Sequence, residues 1–452
     1  MSFPRYPEYK DSGVEWFGEV PGHWDVIALK KRFQIVGGST PKSDTESYWD
    51  GDILWATPSD LSKRDSIYIN ETQRKITAFG LASCGTTLVP AQSIVLSTRA
   101  PIGSLAIAET AMCTNQGCKS LVPIFEADTK YFAHLLSVST TELNIRGKGT
   151  TFLELSGDEL SAFKVPAPPE FEQTQIAAFL DRETAKIDAL VAEQRRLMVL
   201  LKEKRQAVIS HAVTRGLNPD APMKPSGIEW LGEVPEHWEV GSLKRFWSVT
   251  DCKHVTAEFV DDGMPLASIR EVQSRWVTLE NAKCTTEYFY DLLIEGGRQP
   301  LPGDLIFSRN ATVGEVAQVH VDHPRFAMGQ DVVLLRKLSQ SDSSDYLQYV
   351  IRSPIIVLQL LNMMIGSTFK RINVEEIRSF LMPSPPPIEQ AEIATYLENE
   401  VSKFDTLTSE TQRAIELLQE RRTALISAAV TGQIDVRSAV GHPATKEEEF
   451  AV

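Results

Sequence analysis

The chain has 452 residues, which is too long for one hydrophobic core and suits three or four structural units of about 100–200 residues each. Hydrophobic residues make up 42% and charged residues 23% of the chain, a balance that excludes wholesale disorder. The formal net charge of −14, taken alone, argues against nucleic-acid binding, because neutralising phosphates needs Lys and Arg. Part of the acidity, such as residues 447–449, need not face a ligand. Nucleic-acid binding would therefore require a local basic face or a partner that supplies one.

The cysteines and the apolar runs indicate the cellular compartment of the protein. The five cysteines are odd in number and form no Cys-x-x-Cys pair, which fits a reducing compartment better than a disulfide framework. The N-terminus lacks the apolar core of a signal peptide, and the most apolar stretch, 355–365, is short and interrupted. We therefore expect a cytoplasmic protein without a membrane span. A structural zinc site is not expected, because His320 and His323 lack two further ligands at suitable spacing.

The first predicted element is an opening segment, and it occurs twice. The pattern Trp-x-Gly-Glu-Val-Pro-x-His-Trp at 16–24 returns at 230–238, an offset of 214 (230 − 16). A pattern Pro-x-Pro-Pro-x-x-Glu-Gln at 166–173 returns at 383–390, an offset of 217 (383 − 166). Between these patterns the two halves differ heavily. A chain that repeats its framework and varies the sequence in between is better suited to present two different binding surfaces than to form a single catalytic pocket.

Each half is predicted to run through the opening segment, a mixed α+β domain, a Pro-rich stop and a long helix. The apolar runs 93–97 and 304–308 predict one buried strand in each half. The fold class is therefore α+β, with two pseudo-repeated α+β domains separated by two long helices. The predicted segments are the first domain with its opening segment at 1–165, the first helix at 166–216, the second domain with its opening segment at 217–382, the second helix at 383–434 and an acidic tail at 435–452.

After each Pro-rich stop an apolar residue recurs every three or four positions, which predicts an amphipathic helix. Such spacings over some forty residues, about 60 Å of helix, indicate a coiled coil between the two copies. The predicted seam residues are Ile176, Leu180, Ile187, Leu190, Leu197, Leu201 and Val208 in the first helix, and Ile393, Leu397, Phe404, Leu407, Ala414, Leu418 and Leu425 in the second.

The polar interruptions of this seam favour antiparallel helices. With the centre near residues 194 and 411, an antiparallel pair sets acid against base, whereas a parallel pair sets like charges together. The predicted ion pairs are Glu183 with Arg421 and Lys204 with Glu400. Such a rod would hold the two domains at opposite ends. The alternative is that each helix covers only its own domain.

With its doubled opening segment, its Pro-rich stops and its paired helices, which end in Ala-Val-Thr at 212–214 and 429–431, the chain resembles the specificity subunits of type I restriction-modification systems. The resemblance covers nearly the whole chain. It implies two target-recognition domains, each reading one half of a split duplex DNA sequence. It also implies two helices that pair antiparallel and set the gap between the half-sites.

The resemblance further implies that the chemistry lies in partner subunits. Two modification subunits would dock on this chain to form an adenine-N6 methyltransferase that uses S-adenosylmethionine, and restriction subunits would join with ATP and Mg²⁺. No cofactor and no catalytic site are expected in this chain, because it lacks the motifs that hold a flipped adenine or ATP phosphates. The alternatives are a coiled-coil scaffold whose variable domains bind proteins and an enzyme with unrecognised motifs.

Candidate DNA contacts fall at three places in each half, and the first is a polar loop after the buried strand. Arg, Asn and Gln side chains can read base edges or bind phosphates. The arginine of this loop is shifted by one place between the copies, and the alternative is that it caps its own domain. The residues are Ser97, Thr98 and Arg99 in the first half, and Ser308, Arg309 and Asn310 in the second.

The second place holds Asn115 and Gln116, echoed by Gln330, whose amides could contact adenine or tie one loop to the next strand. The third is a pair of Gly-containing turns predicted to hold phosphates, with Arg146, Lys148 and Thr150 in the first half and Thr368, Lys370 and Arg371 in the second. The tryptophans of the opening segments recur in both halves although the target should differ, so we expect them to pack against helix ends. They are Trp16, Trp24, Trp230 and Trp238.

Overall fold

The computed structural model describes residues 3–62, 64, 66–99, 101–125, 127–148, 153–363 and 371–439. The chain divides into two compact units. The first unit is Met1–Gln194 with Arg413–Val452, and the second is Arg195–Gln412. Each unit combines one α+β domain with part of each long helix.

In the first unit the strands and short helices lead into the first long helix, and the unit also contains the end of the second long helix. Its strands are β1 Tyr9–Asp11, β2 Glu19–Pro21, β3 Asp25–Ala28, β4 Phe33–Gly37, β5 Trp49–Ala56, β6 Tyr68–Ile69, β7 Lys75–Ile76, β8 Ile94–Ser97, β9 Leu105–Ala108, β10 Met112–Thr114, β11 Cys118–Pro123 and β12 Lys164–Ala167. Its α-helices are α1 Pro58–Ser62, α2 Ala78–Ala82, α3 Thr129–Val138, α4 Thr140–Arg146, α5 Gly157–Ala162 and the start of α6 Glu170–Arg215.

The second unit has a similar order of elements but differs from the first between its first long sheet strand and its central buried strand. Its strands are β13 Met223–Pro225, β14 Glu233–Pro235, β15 Glu239–Ser242, β16 Trp247–Asp251, β17 Phe259–Val260, β18 Met264–Ala267, β19 Cys284–Thr285, β20 Leu305–Ser308, β21 Val316–Gln318, β22 Ala327–Met328, β23 Val332–Lys337 and β24 Leu381–Ser384. Its α-helices are α7 Glu287–Ile294, α8 Ser344–Arg352, α9 Pro354–Met363, α10 Val374–Arg378 and the start of α11 Pro387–Val430. Single 3₁₀ turns occupy Leu29–Lys31, Glu46–Tyr48, Leu243–Arg245 and Arg437–Ala439.

The two units share one sheet plan. In the first unit β4, β11, β8 and β9 are antiparallel neighbours, with β6 added at the edge, and in the second unit β16, β23, β20 and β21 follow the same order. A second sheet has the order β10-β5-β7 in the first unit and β22-β18-β19-β17 in the second. The predicted buried strands are confirmed as β8 and β20, whose residues are all buried within these sheets.

The tryptophans that close the opening segments pack against helix ends, as predicted. Trp24 and Trp238 are fully buried. Gly432, after α11, and Gly216, after α6, have φ values of +76° and +73°. A Cβ at either glycine would lie 3.1–3.2 Å from the indole ring of Trp24 or Trp238. Glycine is needed here because it ends the helix in the left-handed region and leaves room for the ring. Trp16 is partly buried and stacks on Phe163, whereas Trp230 is 39% exposed.

The Glu-Gln pair of each Pro-rich stop fastens the frame of its own unit. Glu172 accepts a hydrogen bond from the Tyr6 hydroxyl and lies 2.8 Å from His23 Nε2. Its counterpart Glu389 lies 2.7 Å from His237 Nε2 and accepts a hydrogen bond from the Trp238 indole. The glutamines, Gln173 and Gln390, accept hydrogen bonds from the backbone N–H groups of Asp128 and Ser343, just before α3 and α8. The repeated motif is therefore structural.

A buried tyrosine in each unit ties a long helix to the strand before the Pro-rich stop. The Tyr131 hydroxyl lies 3.1 Å from the Pro166 carbonyl and 3.0 Å from the Val430 carbonyl. The Tyr346 hydroxyl lies 3.2 Å from the Pro383 carbonyl and 3.4 Å from the Val213 carbonyl. Burial raises the pKa of both phenols well above the ordinary value, so each stays a neutral donor.

The two long helices run antiparallel within each unit, as predicted. In the first unit Arg422 Nε lies 2.9 Å from Asp188 Oδ1, and in the second Arg205 Nε lies 3.3 Å from Asp405 Oδ1. Both pairs share one register, since their residue numbers add to 610 (188 + 422 and 205 + 405). They are also copies of each other, because 205 + 217 is 422 and 188 + 217 is 405.

The predicted ion pairs across the helices are wrong. Glu183 pairs with Arg182 and Lys186 of its own helix, and Glu400 pairs with Lys403 of its own helix. The register lies about six residues from the one that those pairs require, because their numbers add to 604 (183 + 421 and 204 + 400). Arginines at 205 and 422 occupy the seam, where each side chain is partly buried and lies next to an aspartate of the other helix.

Part of the predicted seam is also wrong. Leu190, Leu197 and Leu407 are 52%, 41% and 45% exposed. The less exposed positions instead follow spacings of four and three and repeat at an offset of 217. They are Ile187, Val191, Gln194, Met198, Leu201 and Arg205 in α6, and Phe404, Thr408, Thr411, Ile415, Leu418 and Arg422 in α11. A seam that contains Gln, Thr and Arg cannot be located from leucine positions alone.

Candidate nucleic-acid interface

Four segments converge in the first unit around the loop that follows β8. The backbone of Thr98 forms two of these connections. Its N–H donates to the Gly117 carbonyl at 2.8 Å, and its carbonyl accepts from Leu155 N–H at 2.9 Å. The loop after β4 reaches the same place, where Ser39 N–H donates to the Thr114 carbonyl. The predicted contact residues of the first unit that the structure describes therefore lie on connected segments.

The second unit repeats this arrangement around the loop after β20. Arg309 N–H donates to the Asp331 carbonyl at 3.0 Å, and Ile372 N–H donates to the Arg309 carbonyl at 3.0 Å. These contacts match those of Thr98 one for one. The structural equivalent of Thr98 is therefore Arg309, and the equivalent of Arg99 is Asn310.

This alignment explains the one-place shift of the arginine. Thr98 is fully buried and Arg309 is 4% exposed, so this position points into each unit. The Arg309 guanidinium Nη2 lies 3.2 Å from His254 Nε2 and 3.6 Å from Asp251 Oδ1. In this arrangement Arg309 serves its own domain, which is what the alternative interpretation of the arginine describes.

The next position of each loop is partly exposed. Arg99 Nη2 lies 3.0 Å from Glu154 Oε2, and the two residues form a β-bridge. Asn310 forms the corresponding bridge with Arg371. The first unit thus presents an arginine from the loop backed by an acid, whereas the second presents an asparagine from the loop beside an arginine. Ser97 and Ser308 are buried, and their hydroxyls donate to loop carbonyls of Pro101 and Asn310.

The predicted amides lie beside these loops, on the turns after β10 and β22. Asn115 Oδ1 accepts a hydrogen bond from Gly117 N–H at 3.0 Å, so this side chain closes its own turn. Gln116 and Gln330 are exposed. The Thr40 hydroxyl hydrogen-bonds Gln116 Oε1, and Gln330 Nε2 donates to Thr256 Oγ1 at 3.2 Å. We call these two contacts the Gln–Thr pairs.

A glycine brings the first Gln–Thr pair together. A Cβ at Gly38 would lie 2.1 Å from the Asn115 carbonyl oxygen and 2.2 Å from Thr114 Oγ1. Only glycine allows the backbone after β4 to pass this close to the turn after β10. Thr40 and Thr256 were missed by the sequence analysis, because the pairs join residues 76 and 74 positions apart. The signal present in the sequence was the Gly37-Gly38 dipeptide, which marks a close backbone approach after a strand.

The predicted phosphate-binding residues that the structure describes are paired with acids. Lys148 Nζ lies 2.7 Å from Glu159 Oε1, Arg146 lies 3.9 Å from the same carboxylate, and Arg371 lies 3.9 Å from Asp331. The hydrogen bond from Lys148 lowers the pKa of Glu159. Exposed ion pairs of this kind are weak and can exchange a carboxylate for a phosphate. Thr150, Thr368 and Lys370 lie outside the described residues.

One group of side chains in the second unit has metal-binding residue types. Donor atoms of Asp251, Cys252 and His254 lie within 4.8 Å of one another. The Arg309 guanidinium already supplies a cation at this point, and burial raises the pKa of the Cys252 thiol, which disfavours the thiolate that a metal needs. The cluster therefore holds Arg309 in place and is not suited to an ion.

A family comparison covers most of both units. The family described as "Type I restriction modification DNA specificity domain" matches residues 21–196 and again residues 235–417. The chain belongs to this family. The two matched ranges coincide with the repeat, so each unit carries one specificity domain, and the convergent loops lie within them.

Named relatives match most of the length of this specificity chain. It is 24% identical to the type I restriction enzyme MjaIX specificity subunit of Methanocaldococcus jannaschii, over 96% of this chain and 98% of that protein. It is 21% identical to the EcoBI specificity subunit of Escherichia coli, over 74% of this chain and 72% of that protein. These relatives are named as specificity subunits, not as the methyltransferase or nuclease.

Solved structures agree with the fold of the specificity chain. A structure from a study of complex assembly in the type I R-M system matches with a TM-score of 0.70 at 15% identity, over 91% of this chain and 98% of that chain. The HsdS subunit of Thermoanaerobacter tengcongensis matches with a TM-score of 0.51 at 16% identity, over the same shares. Within the described residues, no helix is both long enough and apolar enough to cross a bilayer.

Proposed function

We propose that this specificity chain reads a split duplex DNA target, one half with each unit, and positions an adenine-N6 methyltransferase on that target. The observation that carries the proposal is a repeated frame with different side chains at equivalent, partly exposed positions. Arg99 beside Glu154 and Asn310 beside Arg371 occupy the same bridge in the two units. Arginine suits guanine and asparagine suits adenine in the major groove, so the two units would read different bases.

The acidic composition is compatible with this role if phosphate binding is local and shared. The cations of the loops, Arg99, Lys148 and Arg371, are each within reach of a carboxylate that a phosphate can replace. With a net charge of −14, further positive charge would come from the methyltransferase subunits. DNA binding should therefore be tighter for the complex than for the isolated chain.

The docking of two modification subunits is supported by leucines that the helices leave exposed. Leu190 and Leu417 belong to the first unit, and Leu407 and Leu200 belong to the second. All four are 45–56% exposed. They are copies, because 190 + 217 is 407 and 200 + 217 is 417. Apolar side chains that remain exposed at repeated positions indicate protein interfaces, here one for each modification subunit.

The chemistry and its cofactors belong to the partners in this proposal. S-adenosylmethionine would be bound by the modification subunits, and ATP and Mg²⁺ by restriction subunits where these join. The chain itself contributes sequence reading and placement. Incubating the isolated chain with S-adenosylmethionine and DNA should transfer no methyl group, and transfer without a partner would show that the chain is itself an enzyme.

The proposal is tested by mapping N6-methyladenine in the genome of a methylation-free host that expresses this chain with its modification subunit. The expected result is methylation at one split motif, with two half-sites separated by a constant gap. A host that expresses the modification subunit alone is the control and should show no such motif. Methylation at a continuous motif, or a complex indifferent to duplex sequence, would favour the protein-binding scaffold instead.

A further inference from the structure

We infer that Thr40 and Thr256 are positioning residues that orient Gln116 and Gln330 for reading a base edge, with one Gln–Thr pair serving each half-site. The inference rests on the proposed function, and it adds the side chains that read and the side chains that hold them. The two pairs arise from different loop sequences but reach the same place in both units.

Each glutamine is exposed at a fixed point of its unit. Gln116 precedes Gly117, whose carbonyl accepts hydrogen bonds from the backbone and the hydroxyl of Thr98. Gln330 precedes Asp331, whose carbonyl accepts from Arg309 N–H. The turn that carries each amide is therefore fastened to the loop that carries Arg99 or Asn310. A glutamine on a turn that is held by backbone hydrogen bonds loses less conformational freedom on binding than one on a free loop.

The side-chain amide of each glutamine keeps hydrogen-bonding capacity after it has paired with the threonine. An amide oxygen accepts two hydrogen bonds and an amide nitrogen donates two. In the first unit Thr40 uses one acceptor position of Gln116, and in the second Thr256 uses one donor position of Gln330. Each amide therefore keeps at least one donor and one acceptor. This combination can accept from the N6 amino group of adenine and donate to its N7 in the major groove.

A threonine hydroxyl is suited to orienting the side-chain amide of a glutamine. It can donate to the amide oxygen or accept from the amide nitrogen, so it holds the amide plane in either orientation. An exposed glutamine without such a partner has several rotatable bonds and loses side-chain entropy when it binds. Removing the hydroxyl should therefore lower discrimination between bases while leaving contacts with phosphates unchanged.

The test uses the complex with its modification subunits and duplexes that carry the mapped target or a single-base variant of it. The ratio of kcat/KM for methylation of target over variant is measured at each half-site position. Thr40→Val should lower this ratio about tenfold at one adenine position of one half-site. Gln116→Ala should lower it to the same extent, and the double variant should lower it no further.

The second unit supplies an independent copy of the experiment. Thr256→Val and Gln330→Ala should act together at one position of the other half-site. Thr40→Ser and Thr256→Ser retain the hydroxyl and should keep the wild-type ratio. At the position affected by Gln116→Ala, replacing adenine with 7-deazaadenine should cause a similar loss of discrimination in the wild-type complex, because 7-deazaadenine lacks N7. The Gln116→Ala complex should be insensitive to that replacement.

Several outcomes would overturn the inference. If Thr40→Val keeps the wild-type discrimination while Gln116→Ala loses it, Thr40 does not position the glutamine. Equal weakening on every duplex would assign the pair to structure alone, and insensitivity to Gln116→Ala would remove the glutamine. A wild-type complex that does not discriminate between duplexes would instead contradict the proposed function, so the two failures are distinguishable.

Discussion

Individual side chains in this protein divide into those that fasten a unit and those that remain available to a ligand. Arg309 and Arg99 illustrate the division, because the chemistry of both suits DNA but only Arg99 is partly exposed. Each predicted place in the described residues lies on a convergent segment, and the contact of these loops with DNA stays a prediction. The sequence could not identify which arginine faces inward, because that depends on Asp251 and His254, more than fifty positions away in the chain.

Lys148 provides a test of phosphate binding. Its side chain is 80% exposed, and among the described residues its ammonium group pairs with Glu159. Lys148→Gln should weaken binding of the complex by a similar factor on every duplex and flatten its salt dependence by about one ion, because one phosphate contact is lost. The measurement is a salt titration of duplex binding, with Lys164→Gln on β12 as the control. Loss of discrimination with an unchanged salt slope would contradict the assignment.

Secondary-structure elements were the easiest part to predict. Helices α6 and α11 follow the Pro-rich stops because proline halts the preceding strand and the apolar spacing then turns helical. Their register was harder, because Leu190 and Leu407 are apolar yet exposed, while Gln194, Thr411 and Arg205 lie in the seam. Hydrophobicity alone does not separate a seam from a surface that a partner covers.

The observed register makes a prediction about ion pairs. Asp188→Lys should destabilise the first unit, and adding Arg422→Asp should restore part of the loss, because the reversed charges attract again. A coupling of about 0.5–1 kcal/mol is expected for such an exposed pair. Thermal unfolding of the single and double variants measures it. The pair Glu183→Lys with Arg421→Asp is the matched control, and coupling there instead would favour the register with numbers adding to 604.

The tyrosine that ties each long helix to its domain is also testable. Tyr346→Phe removes the donor shared by the Pro383 and Val213 carbonyls and leaves them buried without it. The expected loss is about 1–3 kcal/mol of unfolding free energy. Amide hydrogen exchange should show faster opening in the second unit and not in the first, while Tyr131→Phe should do the reverse. Tyr396→Phe, at a 40% exposed position of α11, should change neither unit. Uniform loosening of both units by either variant would refute independent fastening.

At the level of the assembly, the repeat predicts two equivalent docking surfaces for modification subunits. Replacing Leu190 and Leu417 with Asp should remove one modification subunit, and replacing Leu407 and Leu200 should remove one as well, because each pair belongs to one unit. Native mass spectrometry of the complex would show the number of bound subunits falling from two to one. Leu88→Asp, at a 46% exposed leucine outside the long helices, is the control. Unchanged assembly in both pairs of variants would place the docking surface elsewhere.

The organisation of the whole chain was predictable because the repeated motifs hold its frame. Glu172 and Glu389 each lie next to a histidine, and the glutamines that follow them each accept a hydrogen bond from a backbone N–H, so the spacing of these residues had to persist in both units. The reading surface was not predictable to the same degree, because its side chains come from segments far apart in the chain and differ between the units. The first Gln–Thr pair, for example, depends on Gly38, which allows two backbones to approach.

The central claim is that each unit reads its own half of the target, and a chain with two copies of the second domain tests it most directly. Residues 24–166 would be replaced by residues 238–383, which joins the halves at the repeated tryptophan and the repeated proline. Methylated adenines would then be mapped in a host that expresses this chain with the modification subunit. The account predicts that both half-sites become the one read by the second unit and that the first half-site disappears. Methylation that retains the first half-site would contradict it.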